Sequence, residues 1–168
     1  MGREVRRVPK DFNWPIGKAW DGFVNPHFRK CPDCNNGETP ARERLSEKKI
    51  IVAAGLNPDE WGICQTCHGD AIDPLVKEQY EAWKPTEPPH GNAYQLWETT
   101  SEGSPMSPAF ETPEELARWL AGSGASAFAS QTASYETWLR FIRGPGWAPS
   151  AVMENGIMKS GVEAAVEM

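Results

Sequence analysis

The four cysteines of the chain fall in two pairs of the same form, Cys31-Pro-Asp-Cys34 and Cys64-Gln-Thr-Cys67. No other feature constrains the fold as much. Two residues between cysteines make a tight turn that aims both sulfurs at one ion, so two such knuckles supply a closed tetrahedral shell. Pro32 presets the backbone dihedral at the start of the first knuckle, and Gly37 and Gly69 free the chain to fold back on leaving each one. The stretch from Cys34 to Cys64 is longer than in the commonest zinc ribbons and has room for a helical excursion. A closed all-thiolate shell leaves no open position for a reacting water, so its expected role is structural.

Three rival chemistries use the same residues. Cys64-Gln-Thr-Cys67-His68 matches the pattern for covalent haem attachment, but that attachment happens outside the cytosol and leaves Cys31 and Cys34 idle. A thioredoxin-like site needs a strand ahead of the motif, where this chain has the turn-rich Asn57–Gly62. An iron–sulfur cluster takes the same ligands, and spacing alone leaves zinc and iron–sulfur both open. The N-terminal MGREVRRVPKDFNWP carries positive charge with no apolar stretch behind it, so no export signal is expected. Arg6 stands where a myristoylation motif after Gly2 needs Ser or Thr, and no run of eighteen apolar residues exists to span a membrane. The expected setting is a reducing cytoplasm, where paired cysteines act as metal ligands rather than disulfides. Zinc is the expected cofactor, held by Cys31, Cys34, Cys64 and Cys67. His68 is expected beside the filled shell or at the surface.

The rest of the chain reads as α+β. Between the knuckles, Thr39-Pro40 marks a helix start and Gly55 its end, around ARERLSEKKIIVAA. Asp73-Pro74 starts another helix, with Val76, Tyr80 and Trp83 on one stripe, that stops at Lys84-Pro85. KPTEPPHGN is a linker by composition. AYQLWETT alternates as a strand, SEGSPMSP reads as a loop, and AFET as the returning strand of a short hairpin. Thr112-Pro113-Glu114-Glu115 combines a cap, a first-turn proline and a capping box ahead of Leu116, Trp119 and Leu120. A further helix carries Tyr135, Trp138, Leu139 and Ile142 and ends at Gly144-Pro145-Gly146. The expected layout is a basic N-terminal arm at 1–30 and a zinc-knuckle module with helices at 31–84. A linker at 85–92 leads to a small α+β module with a hairpin and two helices at 93–147, then a tail at 148–168. That tail is expected to include a strand near Ala151-Val152-Met153 and to fray at its end.

The net charge of −6 is unevenly spread. Residues 1–30 hold seven Lys or Arg against three acids, and the remainder ten against twenty. An acidic body repels a phosphate backbone, whereas the arm, through Arg3, Arg6, Arg7 and Lys10, is the candidate nucleic-acid contact. No Walker loop, dinucleotide fingerprint or nucleophile elbow occurs, and His27, His68 and His90 have neither triad nor ligand spacing, so no enzyme is expected. Leu96 and Trp97 must face opposite sides of their strand, so one needs cover from the helix at 113–121, the zinc module or a partner. Trp97 and the adjoining Met106 are therefore candidates for a partner surface.

The knuckle form Cys-Pro-x-Cys followed by Gly, repeated as Cys-x-x-Cys-His-Gly, resembles the cysteine-rich repeats of J-domain co-chaperones over about fourteen residues. It lacks the second Gly of each repeat and the four-repeat set, so chaperone activity does not carry over. Over most of its length the chain is similar to small zinc-binding proteins encoded by bacteriophages and prophages. That likeness runs through GREVRRVP, DFNWP, the two knuckles and Tyr94–Pro105, YQLWETTSEGSP. It implies viral or mobile-element origin and zinc binding by the four cysteines, and no activity. The function expected is that of a zinc-stabilised accessory protein binding a host protein in the host cytoplasm. A nucleic-acid-binding zinc module is the alternative.

Overall fold

The computed structural model describes residues 2–44, 47–99, 103–154 and 156–167, and the chain divides into two compact units, Asn25–Pro85 and Met1–Val24 with Thr86–Met168. Both helices and antiparallel sheets are present, and the fold class is α+β.

Among the described residues of Asn25–Pro85 there are three short helices, α1 (Pro40–Arg44), α2 (Lys48–Ala53) and α3 (Lys77–Ala82). The single helix expected between the knuckles is thus two pieces, and Leu45 and Ser46 of the expected span lie outside the described residues. Gly55, at φ 74°, ends α2 as the sequence implied, with the Leu56 N–H returning to the Ile51 carbonyl. Asp73 does not cap α3, whose N-cap is Val76 with no side-chain cap bond; its carboxylate accepts the Leu75 N–H at 2.9 Å within the turn that precedes the helix. Arg42 donates to Glu38 and to the Pro58 and Trp61 carbonyls, tying α1 to the approach of the second knuckle. Among the described residues, Ile51 is the only buried apolar side chain of this unit besides cysteines.

The second unit is built on a four-stranded antiparallel sheet of order β3-β2-β1-β6, with β1 at Arg3–Val8, β2 at Ala93–Glu98, β3 at Ser104–Pro105 and β6 at Trp147–Ala148. Helices α4 (Pro113–Ser123) and α5 (Tyr135–Arg143) follow β2 and β3, with β4 (Ser126–Phe128) and β5 (Gln131–Thr132) pairing between them. The chain ends in a hairpin, β7 (Ala151–Glu154) with β8 (Ile157–Ser160), and helix α6 (Gly161–Glu167). The Thr112 capping box forms as the sequence dictates, although α4 runs past Gly122 to a left-handed Gly124. Leu96, Leu116, Leu120, Trp138, Phe141 and Val162 meet in one apolar cluster.

Three boundaries differ from the sequence reading. Residues 1–24 are not an arm: β1 sits between β2 and β6, pairing with β2 from Arg3↔Glu98 to Val8↔Ala93. Residues 148–168 are not a loose tail, because Val162 of α6 is fully buried in the core and the Gly161 N–H bonds the Ser150 carbonyl. The hairpin partner of β2 is β3, from within the expected loop, and AFET adds one bridge, Tyr94↔Phe110. Between these contacts the Ser107 hydroxyl takes the Leu96 N–H at 3.0 Å, so a side chain substitutes for a ladder bond. Thr100, Ser101 and Glu102 of that strand and loop lie outside the described residues.

Candidate metal centre

The site is assembled by two knuckles whose backbones are bonded to one another. The Cys64 N–H donates to the Gly37 carbonyl at 2.9 Å and the Thr39 N–H to the Gly62 carbonyl at 2.8 Å. The Cys31 N–H meets the Ala71 carbonyl at 2.9 Å, and the Thr66 hydroxyl donates to the Asp33 carboxylate at 2.7 Å. Each knuckle leaves through two left-handed residues in succession, Asn36-Gly37 at φ 51° and 85° and His68-Gly69 at φ 53° and 93°. At Gly37 a Cβ would stand 2.1 Å from the Gly69 carbonyl oxygen, so only glycine lets the knuckles approach this closely.

The sulfurs of Cys31, Cys34, Cys64 and Cys67 all lie within 4.8 Å of one another, none is in a disulfide, and three of the four cysteines are buried. Cys31 and Cys64 are 3.9 Å apart and Cys34 and Cys67 3.6 Å. One tetrahedral ion bound at about 2.3 Å to each sulfur sets them about 3.8 Å apart. The four cysteines are thus placed so that they could hold one metal ion.

The backbone prepares the sulfurs for negative charge. Amide donors from Cys67 and, after the opposing effect of burial, from Thr66 bring the Cys64 thiol down to about 7. Burial, reinforced by the neighbouring Cys67, pushes Cys34 up to about 12, with the Gly37 N–H working against it. At Cys31 the Asp33 N–H favours the thiolate, but burial and the sulfurs of Cys67 and Cys64 together outweigh it and the thiol sits above its ordinary value. Four sulfurs this close cannot all ionise without a cation, and a divalent ion would supply that charge. His68 stands exposed in the turn beside the shell, its place set by its left-handed backbone.

Comparison of the chain with protein-family models, with curated proteins and with solved structures finds no match to any of them.

The other candidate residues fall elsewhere. Trp97 is no surface residue: it is fully buried, with the Phe12 ring stacked at 6.3 Å and the Arg6 guanidinium 5.2 Å from its centroid. The cover that the strand alternation demanded comes from residues 9–24. Trp14 packs edge-on to Trp20, Trp20 packs on Phe12, and the Trp20 and Gly17 N–H groups bond the Gly103 and Pro105 carbonyls. Met106 is half-buried against the main core, and its N–H bonds the Leu96 carbonyl.

The basic residues are not a free arm either. Arg3 is buried and donates to the Ser126 carbonyl at 2.9 Å, and its guanidinium sits below its ordinary value because burial outweighs the pull of Glu98. Arg6 pairs with Glu4 and Glu87, Arg7 lies 3.8 Å over the Tyr94 ring and donates to the Asn92 carbonyl, and Lys10 pairs with Glu111.

One feature escaped the sequence reading. β6, β7 and α6 enclose an open apolar groove of about 790 Å³, lined by Trp147, Pro149, Val152, Met153, Ala164 and Ala165 among others. Trp147, Met153, Ile157 and Met158 are more than half exposed there or on the adjoining hairpin. The Ala-Val-Met run suggested a strand, but nothing local indicated that its apolar side chains would face outward.

Proposed function

We propose that this chain is a zinc-stabilised, non-catalytic accessory protein of bacteriophage or prophage origin that binds a host protein in the host cytoplasm and modulates it. The observation that carries the reading is the sulfur cluster: four thiols, mostly buried, spaced for one tetrahedral ion. A cluster of several irons between the same ligands would hold them further apart than a single ion does. The closed shell points to a structural ion, since a catalytic zinc keeps a position for water or substrate. Two further features support a protein partner over nucleic acid. Arg3, Arg6, Arg7 and Lys10 are committed within the fold to carbonyls, carboxylates and rings, and the whole chain carries −6. The exposed apolar side chains of the C-terminal hairpin are of the kind that protein interfaces cover.

Metal analysis of the purified protein is expected to give about one zinc per chain and no haem absorbance; iron, or free thiols with almost no metal, overturns the reading. Affinity capture from host lysate with mass spectrometry is expected to return a host protein reproducibly. Binding to random DNA that weakens steeply with salt would favour the nucleic-acid alternative.

A further inference from the structure

Two close sulfur–sulfur approaches at the site run between knuckles, at 3.9 Å for Cys31 and Cys64 and 3.6 Å for Cys34 and Cys67. We propose that the site is a reversible thiol switch, in which hydrogen peroxide converts the four sulfurs into two cross-knuckle disulfides, Cys31–Cys64 and Cys34–Cys67, and releases the ion. The inference rests on the metal reading above and adds to it a regulation of the same cysteines.

Access fixes the order of events. Cys34 is the only one of the four that is not buried. Peroxide meets its thiolate first, forming an S–O bond as the O–O bond breaks, which gives a sulfenic acid and hydroxide. The Cys67 thiolate then attacks the Cys34 sulfur, forming the S–S bond and expelling a second hydroxide. With half its ligands gone, the ion leaves as the hydrated cation. A second peroxide repeats the two steps on Cys31 and Cys64. In all, four thiolates and two peroxides give two disulfides and four hydroxides.

The scaffold favours pairing across the knuckles over pairing within them. The bonds from the Cys64 N–H to Gly37, from the Thr39 N–H to Gly62 and from Thr66 to Asp33 join the two turns. The Cys34–Cys67 bond, formed while the ion is still held, then keeps Cys31 beside Cys64 as the ion departs. The oxidised, metal-free unit keeps its closed form, and a dithiol with added zinc restores the starting state.

The test starts from the full chain with its zinc content measured. Hydrogen peroxide is added stepwise, zinc release is followed with a chromogenic chelator, and the product is digested with trypsin without reduction. Cleavage at Lys30, Arg42, Lys49 and Lys77 places Cys31 and Cys34 on one peptide and Cys64 and Cys67 on another. The expected result is release of the bound zinc with about two peroxides consumed per chain, the two peptides joined as one mass, and recovery of zinc binding after dithiothreitol. Two separate peptides each carrying its own disulfide, sulfinic or sulfonic products, links between chains, or retention of zinc would each overturn the switch while leaving the metal site standing. A starting protein that holds no zinc overturns the metal reading itself and the switch with it.

Discussion

The two units solve the same problem by different means. Met1–Val24 with Thr86–Met168 buries Leu96, Leu116, Leu120, Trp138, Phe141 and Val162 in one cluster and covers the other sheet face with Phe12 and Trp20. Among its described residues Asn25–Pro85 buries Ile51 and three cysteines as its apolar side chains and has helices no longer than six residues. A unit of that size with so little apolar burial lacks the driving force to order itself, and helices this short are marginal alone. The comparison teaches that one unit is ordered around an apolar core, whereas the other gathers four cysteines placed to hold an ion where such a core is lacking.

Metal removal should separate the two most widely. Zinc binding contributes on the order of 10 kcal/mol in small modules of this kind, more than the rest of Asn25–Pro85 can replace. With chelator, or in Cys64→Ser, hydrogen exchange is expected to show loss of protection at the Cys31, Thr39 and Cys64 amides, which bridge the knuckles, with protection kept along β1 and β2. Uniform loss throughout the chain would break the comparison and make the protein one cooperative domain.

The converse test lies in the sheet. Trp97→Ala removes the side chain that Phe12 and Arg6 enclose and should cost about 3–5 kcal/mol of stability. Thermal denaturation of the sheet unit should fall accordingly while the zinc content stays unchanged. Zinc loss in this variant would show that the units depend on each other.

How much of this was legible in the sequence follows the range of the interactions involved. The knuckles and the Thr112 capping box are specified within a few residues, and both form where the spacing puts them. The β1 strand was hidden because Arg3, Arg6 and Arg7 read as a basic arm. Their partners, Ser126, Glu87, Trp97 and Tyr94, are remote in sequence, and only the folded sheet brings them within reach. The alternation of β2 correctly required cover for both faces, yet nothing local named residues 9–24 as the source. The C-terminal helix was missed for a similar reason: it is short, and its burial depends on the distant core around Trp138 and Phe141.

Within the metal unit, two glycines separate close approach from backbone conformation. Gly55 has φ 74°, and a methyl group placed on it would meet no atom within 4 Å, so Gly55→Ala should cost only the left-handed conformation, about 1–2 kcal/mol. Gly37 has φ 85° and in addition faces the Gly69 carbonyl, which cannot swing aside as a side chain could. Gly37→Ala should therefore cost more than Gly55→Ala and weaken zinc retention in competition with a chelator. Equal retention by the two variants would show that the knuckles have slack the structure does not display.

The smallest expected effect belongs to the sheet unit and tests how far its stability depends on local signals. The Thr112 hydroxyl accepts the Glu115 N–H at 3.2 Å, and the Glu115 carboxylate accepts the Thr112 N–H at 3.1 Å. Thr112→Ala deletes the first bond and leaves an amide that water can reach, since both residues are exposed, so the cost should be about 1 kcal/mol. The helix itself should persist, because Leu116, Ala117 and Leu120 stay buried and Glu114 still pairs with Arg143. Thr112→Ser keeps the acceptor and should recover most of the loss, whereas zinc retention should be the same in both variants. If Thr112→Ala instead approached the cost of Trp97→Ala, the sheet unit would rest on its helix start as heavily as on its core, and burial would no longer be what distinguishes it from the metal unit.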